Sequence, residues 1–243
     1  MKYINIKKLL NRAFRSIGYD ITSFNPTTHP LARRRQLMKT YDINLVFDVG
    51  ANMGQFAEYL RRDIQYQKRI VSFEPLSSAF SALQAHAKGD DLWEVNNYAL
   101  GDKNEKKNFN ISKNLASSSL LNILPLCIAA APEAQYIGKE LVEIKTMDSI
   151  FNNISLGEKN IYLKIDVQGF ESKVIKGAEN ILSYINTIQL EMSLVPLYQN
   201  EFLFPEMYAL MKDKGYSLMY FEPVFHDKKT GQLLQVDGIF HRI

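Results

Sequence analysis

From Asp42 onward, short apolar runs alternate with segments of helical period, the pattern of a parallel sheet covered by helices on both faces. Runs at 44–50, 69–74, 93–99, 160–166 and 187–191 predict five strands. A less regular stretch, 101–158, predicts two extra strands around 105–111 and 141–146. The segments 216–222 and 235–241 flank the turn Asp227 to Gly231 and predict a hairpin. Between the strands, a helix is expected over 54–63. A second has Ser77 as N-cap, a face of Phe80, Leu83 and Ala87, and Lys88-Gly89 as stop. A third carries Val174, Ile175, Ala178, Ile181, Leu182 and Ile185 on one face, and a fourth runs from Pro205 to Lys212, Lys214 and Gly215. The fold class read from this order is α/β: a Rossmann-like seven-stranded open sheet with a C-terminal antiparallel hairpin strand and helices on both faces.

Residues 1–40 differ in kind. Ile6, Leu9, Leu10, Ala13, Phe14 and Ile17 recur at three- and four-residue spacing, predicting an amphipathic helix with Lys7, Lys8, Arg12 and Arg15 on its wetter sides and Gly18 as its stop. These 40 residues hold nine basic residues and one acid, Asp20, a net of +8; the remaining 203 carry a net of −5. The expected division is therefore a basic helical extension, 1–40, and a domain, 41–243. The helix reads as a segment that docks on the domain, as a contact of residues 1–18 with an anionic membrane surface, or as a nucleic-acid contact.

Composition narrows the class. With 243 residues, 46% hydrophobic and 23% charged, the chain is neither disordered nor collagen-like and can build one substantial core. Its single cysteine, Cys127, excludes an internal disulfide. The apolar run Leu124 to Pro132 is too short to span a bilayer, and no apolar segment of signal-peptide type follows the basic N-terminus. A cytoplasmic protein is expected, with peripheral contact at the inner membrane face as a variant.

In an open α/β sheet, ligands bind beyond the carboxyl ends of the strands. The first strand ends in Asp48-Val-Gly50-Ala51-Asn52-Met-Gly54. Gly50 suits a tight turn, and Gly54 lets the next helix begin close to a ligand. Asn52 stands where a dinucleotide-binding loop has its second glycine, and Asp48 would oppose a pyrophosphate while suiting an ammonium and a sulfonium. Glu74, 24 residues after Gly50, ends the second strand where a carboxylate accepts from both hydroxyls of a ribose. S-adenosylmethionine fits this set: ribose at Glu74, amino-acid part near Gly50 to Gly54, adenine near Ala99.

Phe47-Asp-Val-Gly-Ala-Asn-Met-Gly-Gln-Phe56, Phe73-Glu74-Pro75, Thr146-Met-Asp148 and Leu163-Lys-Ile-Asp-Val-Gln-Gly-Phe-Glu171 resemble the FkbM-type S-adenosylmethionine-dependent methyltransferases over roughly residues 44–243. The resemblance implies methyl transfer to a hydroxyl oxygen, with acceptors among the sugars of polysaccharides, glycolipids and glycosylated natural products, and macrolide hydroxyls.

Such a transfer needs alignment and a route for the hydroxyl proton. Asp166, ending the fourth main strand, is the first candidate as base or acceptor-orienting group; Glu191, ending the fifth, is the second. Lys164, on the same side of its strand as Asp166, is either a desolvated base or an ion-pair partner. The bland readings are helix capping for Asp166, a surface strand end for Glu191, dipole compensation for Glu171 and an N-cap for Asp148. His226 falls in the hairpin turn at the active edge, His241 at the opposite end. The acceptor pocket is expected from 112–140, 193–204 and 223–234, where Tyr198, Phe202, Phe204 and Phe225 are candidates for stacking on sugars or for packing. Asp166 and Glu191 end neighbouring strands, but no tight metal-ligand cluster accompanies them and no metal is expected. The segment Asp166-Val-Gln-Gly169-Phe lacks the Pro-Pro-aromatic pattern of nucleic-acid amino-methyltransferases, so a nucleic-acid substrate is disfavoured. A nicotinamide-dependent sugar dehydrogenase and a binding module without catalysis complete the alternatives.

Overall fold

The computed structural model describes residues 2–155 and 157–242, with the side chains of residues 2–5 and 7 outside the described set. The expected position of Lys7 on a wet face lies outside the described residues. The chain divides into two compact units, Met1–Tyr41 and Asp42–Ile243.

The first unit contains α1 (Lys2–Arg15) and α2 (Pro30–Thr40). Beyond the end of α1 lies Gly18 at φ +86°. The periodicity did not predict α2; its signal is Pro30 in the first turn, where a missing N–H costs nothing.

The second unit runs β1 (Leu45–Val49), α3 (Gln55–Tyr59), β2 (Arg69–Phe73), α4 (Ser77–Ala87), β3 (Trp93–Asn96), β4 (Ala99–Leu100), β5 (Glu105–Ser112), α5 (Pro125–Ala130), β6 (Tyr136–Lys145), α6 (Met147–Ile154), β7 (Ile161–Ile165), α7 (Glu171–Lys176), β8 (Ile185–Ser193), α8 (Phe204–Asp213), β9 (Tyr216–His226) and β10 (Leu233–Arg242). Seven strands form one Rossmann-like sheet in the order β3-β2-β1-β7-β8-β10-β9. The first five are parallel, and β10 runs antiparallel to both its neighbours. Every residue of β1 and β7 is buried, as expected of central parallel strands covered on both faces. Strand order reverses between β1 and β7, which opens a crevice at their carboxyl ends. A smaller sheet, β4-β6-β5, packs Phe109, Val142 and Ile144 with Leu76, Ala99 and Phe170.

Several boundaries differ from the sequence expectation. The third strand stops at Asn96, because Asn97 Nδ2 donates to the carbonyls of Glu74 and Pro75 and the chain leaves for the second sheet. The helix after the fourth main strand ends at Lys176 rather than reaching Ile185: Gly177 lies so close to Gly101 that a Cβ would sit 1.9 Å from its carbonyl oxygen. The six apolar positions predicted there are nevertheless buried. Helix α3 passes at Leu60 into a π-helical turn, Leu60–Ile64, whose Arg61 pairs with Asp90 and donates to the carbonyls of Tyr66 and Lys68. Leu76, not Ser77, occupies the N-cap of α4. Thr146 caps α6 by accepting from Ser149 N, while the Asp148 carboxylate accepts from Asn180 N and Nδ2. Among the described residues, no helix is long and apolar enough to cross a membrane.

Candidate active site

The turn after β1 is shaped by backbone crowding. At Gly50, φ is +78° and a Cβ would fall 1.8 Å from Asp166 O, so only glycine lets the β1 and β7 ends meet. The N–H groups of Gly50 and Ala51 both donate to Phe73 O, tying the turn to β2. Asn52 follows in the left-handed region at φ +50°, and its N–H donates to Glu74 Oε2 at 2.8 Å. Leu76 N donates to Glu74 Oε1 at 2.9 Å. Burial pushes the Glu74 carboxyl up to about 7, against the opposing pull of those two N–H donors. Asn52 Oδ1 is buried with no hydrogen-bond partner. A buried acceptor of that kind calls for a donor from a ligand or water.

These groups line a cavity of about 360 Å³ at the carboxyl edge, within the range of small-ligand sites. Of the residues expected at the site, Gly50, Ala51, Asn52, Glu74, Pro75, Ala99, Lys164, Asp166 and Glu191 stand in its wall. Asp48 and Gly54 do not. Asp48 is wholly buried, and its strand neighbour Lys164 reaches Oδ1 at 3.3 Å, with Ser72 Oγ at 3.4 Å from Oδ2. The carboxylate expected to meet a cationic ligand is therefore matched inside the protein. The space above Gly54 belongs to Trp93 and Leu83, which a Cβ would meet at 2.9 and 3.0 Å; that glycine serves helix packing.

Lys164 also pairs with Asp166 Oδ2 at 3.3 Å, as alternation along the strand predicts. Burial opposes its charge, yet Asp166, Asp48 and Asp237 together hold its pKa above the ordinary lysine value. An ammonium so held anchors the carboxylates around it.

Asp166 and Glu191 are joined through Gln168, which sequence reasoning did not single out. Its Nε2 donates to Asp166 Oδ1 at 2.9 Å and to Glu191 Oε2 at 2.7 Å, and its Oε1 accepts from the Tyr198 hydroxyl at 2.6 Å. Gln235 Nε2 supplies Glu191 Oε2 with a second donor at 2.8 Å. Glu191 is buried, not a surface strand end. Burial raises its pKa well above the usual carboxylate value, reinforced by the negative charges of Asp166, Asp237 and Glu171. The loop carrying this set is pinned by Glu171 Oε1, which accepts from Val167 N and Gly169 N. Glu171 stands in the first turn of α7, where the dipole reading puts it, and these bonds come in addition; Asp166 does not cap α7, whose N-cap is Phe170 with no side-chain cap bond. The mark the sequence carries is Gly169 directly after Gln168; the structure holds Gln168 at φ +56° and Gly169 at φ +94°.

Of the three segments expected to build the acceptor pocket, 112–140 supplies Leu115, Ala116, Ser118 and Leu120 to the wall, and the other two supply none. Tyr198 is buried and bonded to Gln168, Phe225 packs against a buried cluster that includes Tyr198 and Leu234, and Phe204 stacks on Tyr208. Phe202 is exposed. His226 ends β9 in an exposed position, and His241, bonded to Thr187, lies at the opposite edge from Glu191. Among the described residues, no three His, Cys, Asp or Glu side chains converge as a metal-binding group.

Three solved structures are similar in fold. The methyltransferase FkbM of Methylobacillus flagellatus KT shares 14% identity at a TM-score of 0.48, covering 81% of this chain and 44% of its own. TrmK of M. capricolum, solved with S-adenosyl-homocysteine, shares 10% at 0.47, covering 88% and 70%. Fibrillarin of Aeropyrum pernix, solved with natively bound S-adenosyl-L-methionine, shares 9% at 0.47, covering 82% and 66%. This chain thus spans less than half the length of the first of these. No curated protein matches the sequence. The methyltransferase FkbM domain matches residues 48–218, from the last two residues of β1 to the first three of β9, and takes in every residue that lines the cavity. The chain belongs to the FkbM methyltransferase family.

Proposed function

We propose that this protein is an S-adenosylmethionine-dependent O-methyltransferase acting on a hydroxyl of a sugar, a glycan or a glycosylated metabolite. The observation that carries this reading is one cavity lined both by Glu74 with Asn52 and by Asp166 with Glu191. Glu74 has lone pairs left over beyond its two backbone donors, and Asn52 Oδ1 is buried with no hydrogen-bond partner. The first pair suits a ribose diol and an ammonium donor. The second suits a hydroxyl that must lose a proton.

Glu74 would hold the ribose hydroxyls, and Asn52 the amino group, of the cofactor. When bound, S-adenosylmethionine supplies a methyl group already activated by a sulfonium. Asp166 pairs with Lys164 at 3.3 Å and has one-third of its side chain exposed. It would accept the hydroxyl proton as the methyl passes from sulfur to the acceptor oxygen, with S-adenosylhomocysteine as the leaving thioether, and would return that proton to solvent afterwards. Glu191, fixed by two amides, orients the acceptor. The apolar wall from Leu115 to Leu120 excludes water from the reacting oxygen.

The test is transfer of isotopic methyl from S-adenosylmethionine to a saccharide extract by the purified chain. Label in the saccharide fraction supports the reading. A panel of hydroxyl acceptors that stays wholly inert counts against it.

A further inference from the structure

The apolar stripe of α1 is exposed. Ile6, Leu9, Leu10 and Phe14, with Ile17 in the turn that follows the helix, are 56, 71, 47, 39 and 67% exposed, although they recur at the spacing by which helices bury a face. The helix contains no acidic residue, and Lys8, Arg12 and Arg15 are exposed on the side away from the stripe. Arg15 has an exposed partner in Asp20 at 3.1 Å; Lys8 and Arg12 carry their charges into solvent. Tyr19, 68% exposed, follows the helix, an aromatic of the kind that settles at the level of lipid headgroups.

We infer that α1 is an in-plane membrane helix that seats this protein on an anionic lipid surface. A protein groove that took the apolar stripe would leave the opposite, cationic side in water. A bilayer satisfies both sides. The stripe enters the headgroup–acyl boundary to a depth of roughly 5–10 Å. The charges behind it stay within about one Debye length, ~10 Å at 0.1 M salt, of the anionic surface, since a helix is only about 10–12 Å across. Fourteen residues of mixed polarity lie on a membrane and do not cross it. The inference is independent of methyl transfer, because it is read by binding alone.

The experiment uses the full chain, floated with vesicles of phosphatidylcholine alone or mixed with phosphatidylglycerol. Binding is expected to be at least tenfold tighter to the anionic vesicles and to weaken with salt. Each basic residue near such a surface strengthens binding roughly fivefold, so Lys8→Gln with Arg12→Gln should weaken it about 25-fold. Leu9→Glu with Leu10→Glu should abolish it, with the melting temperature and the oligomeric state unchanged because both side chains already lie in solvent. The inference is overturned if the chain stays unbound to anionic vesicles, if the Leu9/Leu10 pair binds as the parent does, or if light scattering shows that this pair instead splits a dimer.

Discussion

Under the proposed function, Glu74 should make ligand binding depend on pH. Its carboxyl is raised from 4.5 to about 7, first by burial, and on that proposal it would have to be ionised to accept from two ribose hydroxyls. A group titrating near 7 is about nine-tenths ionised at pH 8 and about one-tenth at pH 6, so affinity for S-adenosylhomocysteine should fall roughly tenfold between those values, with proton uptake on dissociation rising from about one-tenth at pH 8 to about nine-tenths at pH 6. Glu74→Gln removes two charge-assisted bonds of roughly 1.5 kcal/mol or more each. It should therefore weaken binding about a hundredfold at pH 8 and flatten the pH dependence. Titration calorimetry in buffers of different ionisation enthalpy reads both the affinity and the proton count. The stability of the unliganded protein has the opposite sense. A carboxyl with a raised folded pKa binds its proton more tightly when folded, so stability falls as pH rises from 4.5 towards 7, and Glu171, raised to about 8 mainly by burial, extends the window. The ligand should consequently raise the melting temperature more at pH 8 than at pH 6. Affinity that is level between pH 8 and 6, or a Glu74→Gln variant that binds as tightly as the parent, refutes this reasoning.

Other substitutions probe the rest of the cavity. Asp166→Asn should lower kcat by ~10²–10⁴ while S-adenosylhomocysteine affinity changes less than about tenfold, as measured by initial rates and calorimetry. Gly50→Ala must place a methyl 1.8 Å from Asp166 O at φ +78°, so a loss of roughly 3 kcal/mol or more is expected, seen as a melting temperature lower by about 6–12 °C together with lost ligand binding. Tyr198→Phe removes the 2.6 Å bond to Gln168 Oε1 and should lower kcat roughly three- to tenfold with cofactor affinity unchanged, because Gln168 then holds Asp166 and Glu191 less firmly.

The main sheet was legible because its central strands are short apolar runs bounded by turns, and parallel strands buried on both faces need little else. The turn after β1 was legible because crowding at Gly50 leaves a local mark, a glycine directly after a strand. What the sequence hid are contacts between distant segments. Asp48 was read as a ligand group, yet register places it against Lys164, 116 residues further on, and nothing near Asp48 announces that partner. Asn97 ends the third strand through its side chain, and Gly177 ends α7 against Gly101, both tertiary events. The same holds for Gln168, two of whose partners, Glu191 and Tyr198, lie 23 and 30 residues further on. Tyr198 was read for its ring when its hydroxyl makes the contact that bears on the site.

The sharpest test supplies S-adenosylmethionine bearing a trideuterated methyl to the purified chain and its saccharide acceptor, and fragments the product by mass spectrometry. The account predicts one heavy methyl on a sugar ring oxygen, made by the parent and lost with Asp166→Asn. A heavy methyl on nitrogen or carbon, or an unlabelled saccharide beside a chain that binds the donor tightly, would contradict it.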